Sequence, residues 1–124
     1  MATTGKRSKR PSKSVESMAL ILAAYPRRAA ANKAAKALVR DGVLACATVA
    51  GGATAHYRWE GRQFAERSVL LWGKCAWRRS RQAVAALKSS HPDHTPEILA
   101  IRVGHAWPAY AAWAAGIAPK RGGR

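Results

Sequence analysis

Cysteine is scarce in this sequence, whose 124 residues include only Cys46 and Cys75. Two cysteines are too few for the disulfide framework of a small secreted domain, so we expect a reducing compartment and predict a cytoplasmic protein. Neither cysteine lies in a CxxC pair, and the sequence contains no HExxH motif. The usual ligand spacings of a zinc site are therefore excluded.

Acidic residues are also scarce. Six Asp and Glu residues stand against 22 Lys and Arg residues, which gives a formal net charge of +16. The stretches 1–14 and 118–124 contain basic residues and no acid. We predict a disordered basic tail over residues 1–16, a folded domain over 17–116 and a flexible basic tail over 117–124. So large a positive charge indicates nucleic acid as one class of partner.

Long apolar runs and the familiar catalytic motifs are missing as well. No run approaches the ~20 residues of a membrane-spanning helix, so no membrane partner is predicted. The chain has no Ser-His-Asp order, no glycine-rich phosphate loop and no tight pair of carboxylates. Lys74, His91 and Glu97 are the remaining acid–base candidates, and a salt bridge that holds the subunits together explains them better. We therefore predict that the protein is not an enzyme.

Apolar periodicity divides the domain into strands and helices. The predicted strands are 17–24, 43–58, 62–75 and 98–103, and the predicted helices are 28–40, 78–89 and 108–115. The stretch HPDHTP is predicted to be a loop because its two prolines lie close together. The order βαββαβ followed by a helix is that of a ferredoxin-like α+β sandwich with a long hairpin between its second and third strands.

The strands do not alternate cleanly between apolar and polar residues. Leu20-Ile21-Leu22, Leu70-Leu71-Trp72 and Ile98-Leu99 are apolar at consecutive positions. Successive side chains of a strand point to opposite faces, so both faces of the sheet carry apolar groups. Helices cover one face of such a sheet. We expect the second face to contact other copies of the same chain.

The stretch HYRWEGRQFAE lies at the turn of the long hairpin. A two-residue loop at Glu60-Gly61 pairs Trp59 with Arg62, which predicts a cation–π contact. It also pairs Tyr57 with Phe64, which predicts an aromatic contact across the strands. We therefore interpret this stretch, with its many aromatic and charged side chains, as the tip of a hairpin that takes part in subunit assembly.

Several motifs together resemble the CutA divalent-cation-tolerance family. They are LACATVAGGATAHYRWEGRQFAE, the lysine of LLWGKC, LKSSHPDHTPEILAI and the pair Tyr110 and Trp113. The resemblance spans roughly Ser17 to Gly116. It implies a ferredoxin-like homotrimer whose hairpins pair between subunits, association with copper or other divalent cations, and a role in metal tolerance. The family has no settled catalytic activity, and its trimer resembles the PII signalling proteins.

The resemblance also assigns roles to individual positions. It places a group of residues at the cleft and interface between subunits: Tyr57, Trp59, Glu60, Glu66, Lys74, Tyr110 and Trp113. The sequence departs from the family at Cys75, where threonine is usual, and at Asp93, where tyrosine is common. Ala23 stands where some bacterial members carry a cysteine, which weakens the case for a thiolate copper site.

Thiolate and imidazole are the ligands that a soft metal ion prefers. We predict Cys46, His91 and Glu97 as ligands of Cu(II) or another divalent cation. Further donors are Cys75, His94, Asp93 and Glu66. In the hairpin register Cys46 and Cys75 are nominal partners, unless a bulge at Gly51 shifts them. The competing interpretation makes Cys46 a small buried apolar residue and His91 an anchor for its loop.

Two other functions remain open. The first is a basic nucleic-acid-binding module that uses the N-terminal tail and the sheet, although the third strand, RSVLLWGK, lacks the K/R-G-F/Y pattern of RNA-recognition domains. The second is a signalling adaptor that binds a small anion in the clefts between subunits. Arg78, Arg79 and Arg81 at a predicted helix N-terminus are compatible with a bound anion or with a solvated charged surface.

Overall fold

The computed structural model describes residues 17–116, and the tails predicted over 1–16 and 117–124 lie outside that range. The described chain contains β1 (Met18–Tyr25), α1 (Arg28–Arg40), β2 (Cys46–Trp59), β3 (Arg62–Ala76), α2 (Ser80–Ser90), β4 (Ile98–Arg102) and α3 (Pro108–Gly116). A 3₁₀ turn over Trp77–Arg79 precedes α2, which therefore begins two residues later than predicted.

The strands form one antiparallel sheet in the order β2-β3-β1-β4. The two central strands, β3 and β1, belong to different halves of the chain, as two interleaved split βαβ units require. The ferredoxin-like α+β fold predicted from the order of the elements is therefore confirmed.

Helices α1 and α2 cover one face of the sheet. Helix α1 buries Ala31, Ala34, Ala35 and Leu38, and the three alanines let its backbone lie close to the strands. The largest fully buried side chains of this core are Tyr25, Ile21, Leu44, Leu71, Leu87 and Cys75. None of the helices within residues 17–116 combines the length and apolar character of a membrane-spanning segment.

Strand β2 begins at Cys46, three residues after the predicted start at Val43. The backbone N–H groups of Val43 and Leu44 donate to the carbonyl of Leu38, at 2.9 and 3.2 Å. These donors close the last turn of α1 and are not available to the sheet. Leu44 is fully buried, so the segment 43–45 seals the end of the core rather than extending the hairpin.

The second face of the sheet, here called the open face, is apolar. Its side chains follow from the strand register: Leu20, Leu22, Leu70, Trp72, Leu99 and Ile101. Trp72, Leu99 and Ile101 are 44%, 47% and 45% exposed. The prediction that the strands carry apolar residues on both faces is confirmed. In the described chain these three side chains are about half exposed to solvent.

Helix α3 covers one end of the open face. Ala111 and Ala114 pack on Met18, and Ala45 and Val103 border this small cluster. Trp107, the residue before the helix, is 77% exposed and takes no part in this packing. Small alanine side chains allow the close approach to the sheet that a tryptophan would prevent.

The tip of the hairpin has the predicted register. Trp59 pairs with Arg62 and Tyr57 with Phe64, whose rings stack with centroids 5.2 Å apart. Glu60 and Gly61 have φ values of 51° and 78°, as a two-residue type I′ turn requires. The cation–π contact differs from the prediction, because the Arg62 guanidinium lies 5.6 Å from the ring of Phe64 on its own strand.

A bulge between Ala50 and Ala53 shifts the register of the hairpin base by one residue. Cys46 therefore pairs with Lys74 and not with Cys75, which corrects the nominal pairing. A one-residue shift also changes the face that each side chain occupies. Cys46 lies on the side of Lys74, whereas Cys75 is buried in the helix-covered core, and both thiols are free.

Gly73 offers a test of this packing. A Cβ atom at Gly73 would lie 2.8 Å from Cδ1 of Leu44, whose side chain is fully buried. We expect Gly73→Ala to lower the free energy of unfolding by about 1–3 kcal/mol, measured by urea denaturation at one protein concentration.

Gly104→Ala is the matched control, since a Cβ there meets nothing within 4 Å. Its free energy of unfolding should change by less than about 0.5 kcal/mol. Adding Leu44→Val to Gly73→Ala should cost less than the sum of the two single changes, because the smaller side chain relieves the clash. Equal urea midpoints for Gly73→Ala and Gly104→Ala would contradict the packing described.

Candidate functional site

A cleft of about 550 Å³ lies between the hairpin and the loop that connects α2 to β4. Four of the predicted residues line it or its rim: Tyr57, Trp59, Glu66 and Glu97. The loop contributes Asp93, His94 and Thr95, and His56, Arg67 and Ser68 are the other polar residues of the lining. Glu60, which was predicted for the same site, instead forms the hairpin turn and is absent from the lining.

Tyr57 and Glu66 form the polar wall that the hairpin contributes. The hydroxyl of Tyr57 donates to Oε1 of Glu66 at 2.7 Å. This hydrogen bond raises the pKa of Tyr57, and burial and the negative charges of Glu66 and Asp93 raise it further. The carboxylate of Glu66 is thereby held towards the cleft, and Asp93 is near enough to affect the same phenol.

His91 anchors the opposite wall. Its ring stacks on Tyr25, with centroids 4.3 Å apart, and its side chain is fully buried. Nδ1 accepts from the backbone N–H of Asp93 at 3.0 Å, so Nε2 carries the proton and donates to the carbonyl of Ala24 at 2.7 Å. Both ring nitrogens are engaged, and neither has a lone pair left for a metal ion.

Tyr25 also lines the cleft, and its hydroxyl is a buried polar atom without a partner in the described part of the chain. Its side chain is 2% exposed, and its hydroxyl has no hydrogen-bond partner among the described residues. Burial raises the pKa of this phenol. A buried hydroxyl without a partner is uncommon in folded proteins, and it marks a place where a bound group can supply the missing hydrogen bond. The sequence reasoning missed Tyr25, although the Tyr25-Pro26 step that ends the first strand could have drawn attention to it.

A second group of predicted residues lies at the other end of the sheet. Sγ of Cys46 and the hydroxyl of Tyr110 are 3.2 Å apart, and burial, together with this contact, raises the pKa of Tyr110 to about 12. Nζ of Lys74 donates to Oγ1 of Thr48 at 3.3 Å and to the carbonyl of Trp72 at 3.1 Å. The rings of Tyr110 and Trp113 lie 5.7 Å apart.

The predicted metal ligands are therefore split between two places. Cys46 belongs to the end of the sheet where Lys74 pairs with Leu20, whereas His91 contacts Ala24, four residues or about 13 Å further along β1. Glu97 lies at the end where His91 is, since its carbonyl accepts from the N–H of Ala24. Within residues 17–116 no group of three or more His, Cys, Asp and Glu side chains could hold a metal ion.

The comparisons with known proteins agree with this architecture. The family model described as "CutA1 divalent ion tolerance protein" matches residues 19–116. The divalent-cation tolerance protein CutA of Salmonella newport is 33% identical over 100 residues, which cover 81% of this chain and 87% of that protein. The comparisons give no support to a nucleic-acid-binding module.

Two solved structures have the same fold. The divalent cation tolerance protein of Thermus thermophilus superposes with a TM-score of 0.77 at 28% identity, over 81% of this chain and 97% of that one. CutA from Xylella fastidiosa superposes with a TM-score of 0.75 at 29% identity, over 78% and 93% of the two chains.

Fold and cleft first define a class, the ferredoxin-like α+β proteins with a long overhanging hairpin. The family match, which covers almost the whole described range, then fixes the assignment. The chain belongs to the CutA divalent-cation tolerance family. Relatives in this family carry the name of tolerance proteins and not of enzymes.

The two thiols should differ from each other in a measurable way. Burial raises the pKa of Cys75 to about 11, so its thiol stays protonated in the folded protein at pH 8. In a Cys46→Ser variant we expect Cys75 to react with a disulfide reagent about a hundredfold more slowly in the folded state than after unfolding in guanidinium.

The stability of the folded protein should fall with rising pH in the alkaline range because of Cys75. An unfolded thiol loses its proton near pH 8.5, whereas folded Cys75 keeps it until about pH 11, so stability should fall as the pH rises between these values. Cys75→Ser removes this titration and is the control for it. In the disulfide-reagent experiment, rates of Cys75 in the folded and unfolded Cys46→Ser variant that lie within about tenfold of each other would contradict the burial of this thiol.

Proposed function

We propose that the protein is a homotrimeric divalent-cation tolerance protein that binds copper or another divalent cation and acts by binding or signalling rather than by catalysis. The observation that carries the proposal is the distribution of acidic residues. Only six occur in a chain of net charge +16, and Glu66, Asp93 and Glu97 line one cleft. The two free cysteines support a cytoplasmic location within this proposal.

The open face supports the trimer. Trp72, Leu99 and Ile101 form an apolar surface on one side of the sheet, and such contiguous surfaces mark protein–protein contacts. Strands β2 and β3, with 14 and 15 residues, also overrun β1 with 8 and β4 with 5. The overhanging edges present N–H and C=O groups that a neighbouring subunit can pair with.

The cleft suggests how a cation is bound. His94 supplies an imidazole, and Glu66, Asp93 and Glu97 supply carboxylates, which together suit Cu(II) and related ions. The described part of one chain does not gather three of these groups into a complete site. We therefore propose that groups of a neighbouring subunit, brought in by the paired hairpins, complete the coordination. Tyr25 provides a further oxygen for a water or ligand bound there.

Ile101→Glu tests the assembly. Ile101 is 45% exposed in the described chain, and a carboxylate placed in the proposed interface loses its hydration without gaining a partner. We expect wild-type protein to sediment as a trimer and the variant to sediment as a monomer at micromolar concentration.

Val39→Glu is the control for Ile101→Glu. Val39 is 40% exposed but lies on α1, on the other side of the sheet from the open face. This variant should sediment as wild type does. A monomeric wild type, or identical behaviour of the two variants, would overturn the trimer.

Calorimetric titration with Cu(II), repeated with redox-inactive Zn(II), tests the cation site. We expect His94→Ala and Glu97→Gln each to weaken binding by about tenfold or more, because direct ligands matter at least as much as the groups that orient them. Glu60→Gln removes the same charge at the hairpin turn and should leave the affinity unchanged.

Cys46→Ala separates the two predicted donor sets. Unchanged affinity in this variant, with loss in His94→Ala, would assign the cation to the cleft. Loss confined to Cys46→Ala would assign it to the thiol at the other end of the sheet and refute the cleft proposal.

A further inference from the structure

A second cavity of about 860 Å³ lies on the helix-covered side of the hairpin, where α1 begins. We call it the arginine pocket. Its lining comprises Pro26, Arg27, Arg28, Ala29, Gly51, Gly52, Ala53, Thr54, Ala65, Glu66, Arg67 and Val69. It borders the cation cleft at Glu66 and Arg67 and otherwise shares with it only Pro26. The charged residues of the arginine pocket are mainly basic, whereas those of the cation cleft are mainly acidic.

The arginines of this pocket are not neutralised within residues 17–116. Arg27, Arg28 and Arg67 have no ion pair with any described residue. Glu66 is the one acid among the described residues of the lining, and its carboxylate already accepts the hydroxyl of Tyr57. Three exposed cationic side chains thus line one cavity, and an anion bound between them would relieve their mutual repulsion.

The N-terminus of α1 adds positive potential at the same place. The first turn contains no acidic residue, and the N-cap residue Arg27 makes no side-chain capping hydrogen bond. The first backbone N–H groups of a helix have no acceptor within the helix and carry the positive end of its dipole. Acids and capping oxygens are favoured at this place in a helix, whereas this helix has Arg27 and Arg28 there.

The bulge in β2 completes the wall opposite the helix. Gly52 has a φ of 83°, and the bulge takes its backbone out of the ladder with β3. Successive backbone N–H groups in such a turn form a concavity that favours anions. The guanidinium of Arg28 lies directly over Gly51, in space that the Cβ of any other residue would occupy. The missing side chain at Gly51 therefore permits the position of Arg28.

We propose that the arginine pocket binds a small phosphorylated compound that carries two or more phosphate groups. Guanidinium groups bind phosphate oxygens in pairs, and a helix N-terminus binds phosphate through its N–H groups. The volume lies within the usual range for ligand sites. The described lining has no aromatic ring, and its apolar side chains are those of Pro26, Ala29, Ala53, Ala65 and Val69. Among these residues no aromatic ring is available to stack on a nucleobase, and the three arginines favour the phosphates as the recognised group.

Calorimetric titration of the full chain with pyrophosphate at low salt tests this proposal. We expect Arg28→Ala to weaken binding by about tenfold or more, as loss of a charge-assisted hydrogen-bond pair implies. Gly51→Ala retains every charge but displaces Arg28, and it should weaken binding as well. Arg62→Ala removes one charge at the hairpin tip and should change the affinity by less than about twofold.

These variants separate a built site from general attraction to a basic chain. Equal losses for Arg28→Ala and Arg62→Ala, or no binding of pyrophosphate to wild type, would overturn the proposal. Circular dichroism shows whether each variant is folded, and Arg28→Lys provides a second variant that keeps the helix charge but loses the two-pronged contact. If Arg28→Lys and Arg28→Ala both bind as wild type does, the pocket is not the site.

A competition experiment between pyrophosphate and a single-stranded oligonucleotide completes the test. If it competes with pyrophosphate and loses affinity equally in Arg28→Ala, the pocket recognises a nucleic-acid backbone, and the small-molecule proposal is wrong. If it binds Arg28→Ala and wild type equally, its contacts lie elsewhere and the proposal stands. The cation titration is independent of all these outcomes.

Discussion

The structure depends on a sheet whose central strands are apolar on both faces while helices α1 and α2 cover only one. Ile21 and Leu71 are fully buried beneath these helices, whereas Leu22 and Trp72, their sequence neighbours, face the other way. A strand cannot turn one residue inward without turning the next outward. The apolar open face is thus a direct consequence of the strand sequence, and α3 covers only the end near Met18.

The long hairpin carries a second constraint, the bulge at Gly51 and Gly52. Without it, Cys46 would face Cys75, and two thiols would meet at the base of the hairpin. With it, Cys46 contacts Tyr110, while Cys75 lies in a core where its thiol stays protonated. The same bulge gives Arg28 its place beside the strand. One extra residue in β2 therefore determines both the thiol chemistry of the protein and the shape of its arginine pocket.

Local pattern was enough to predict the order of the elements, the hairpin turn and the loop with two prolines, because each depends on residues close in sequence. The cation–π partner of Arg62 and the start of β2 were predicted wrongly, since each depends on tertiary packing. His91 shows the limit most clearly. Imidazole chemistry allows a metal ligand or a loop anchor, and only its contacts with Tyr25, Ala24 and Asp93 show that both nitrogens are occupied.

Charge separation along β3 connects the two cavities. Glu66 and Arg67 are consecutive, so their side chains leave the strand on opposite faces. The hydroxyl of Tyr57 holds Glu66 near the other acids of the cleft, and Glu66 and Arg67 together form the border between the cleft and the arginine pocket. A pairing of Glu66 with Arg67 would have neutralised both cavities at once. Because strand geometry prevents this pairing, the three acids that line the cleft and the three arginines that line the pocket lie within a strand's thickness of each other.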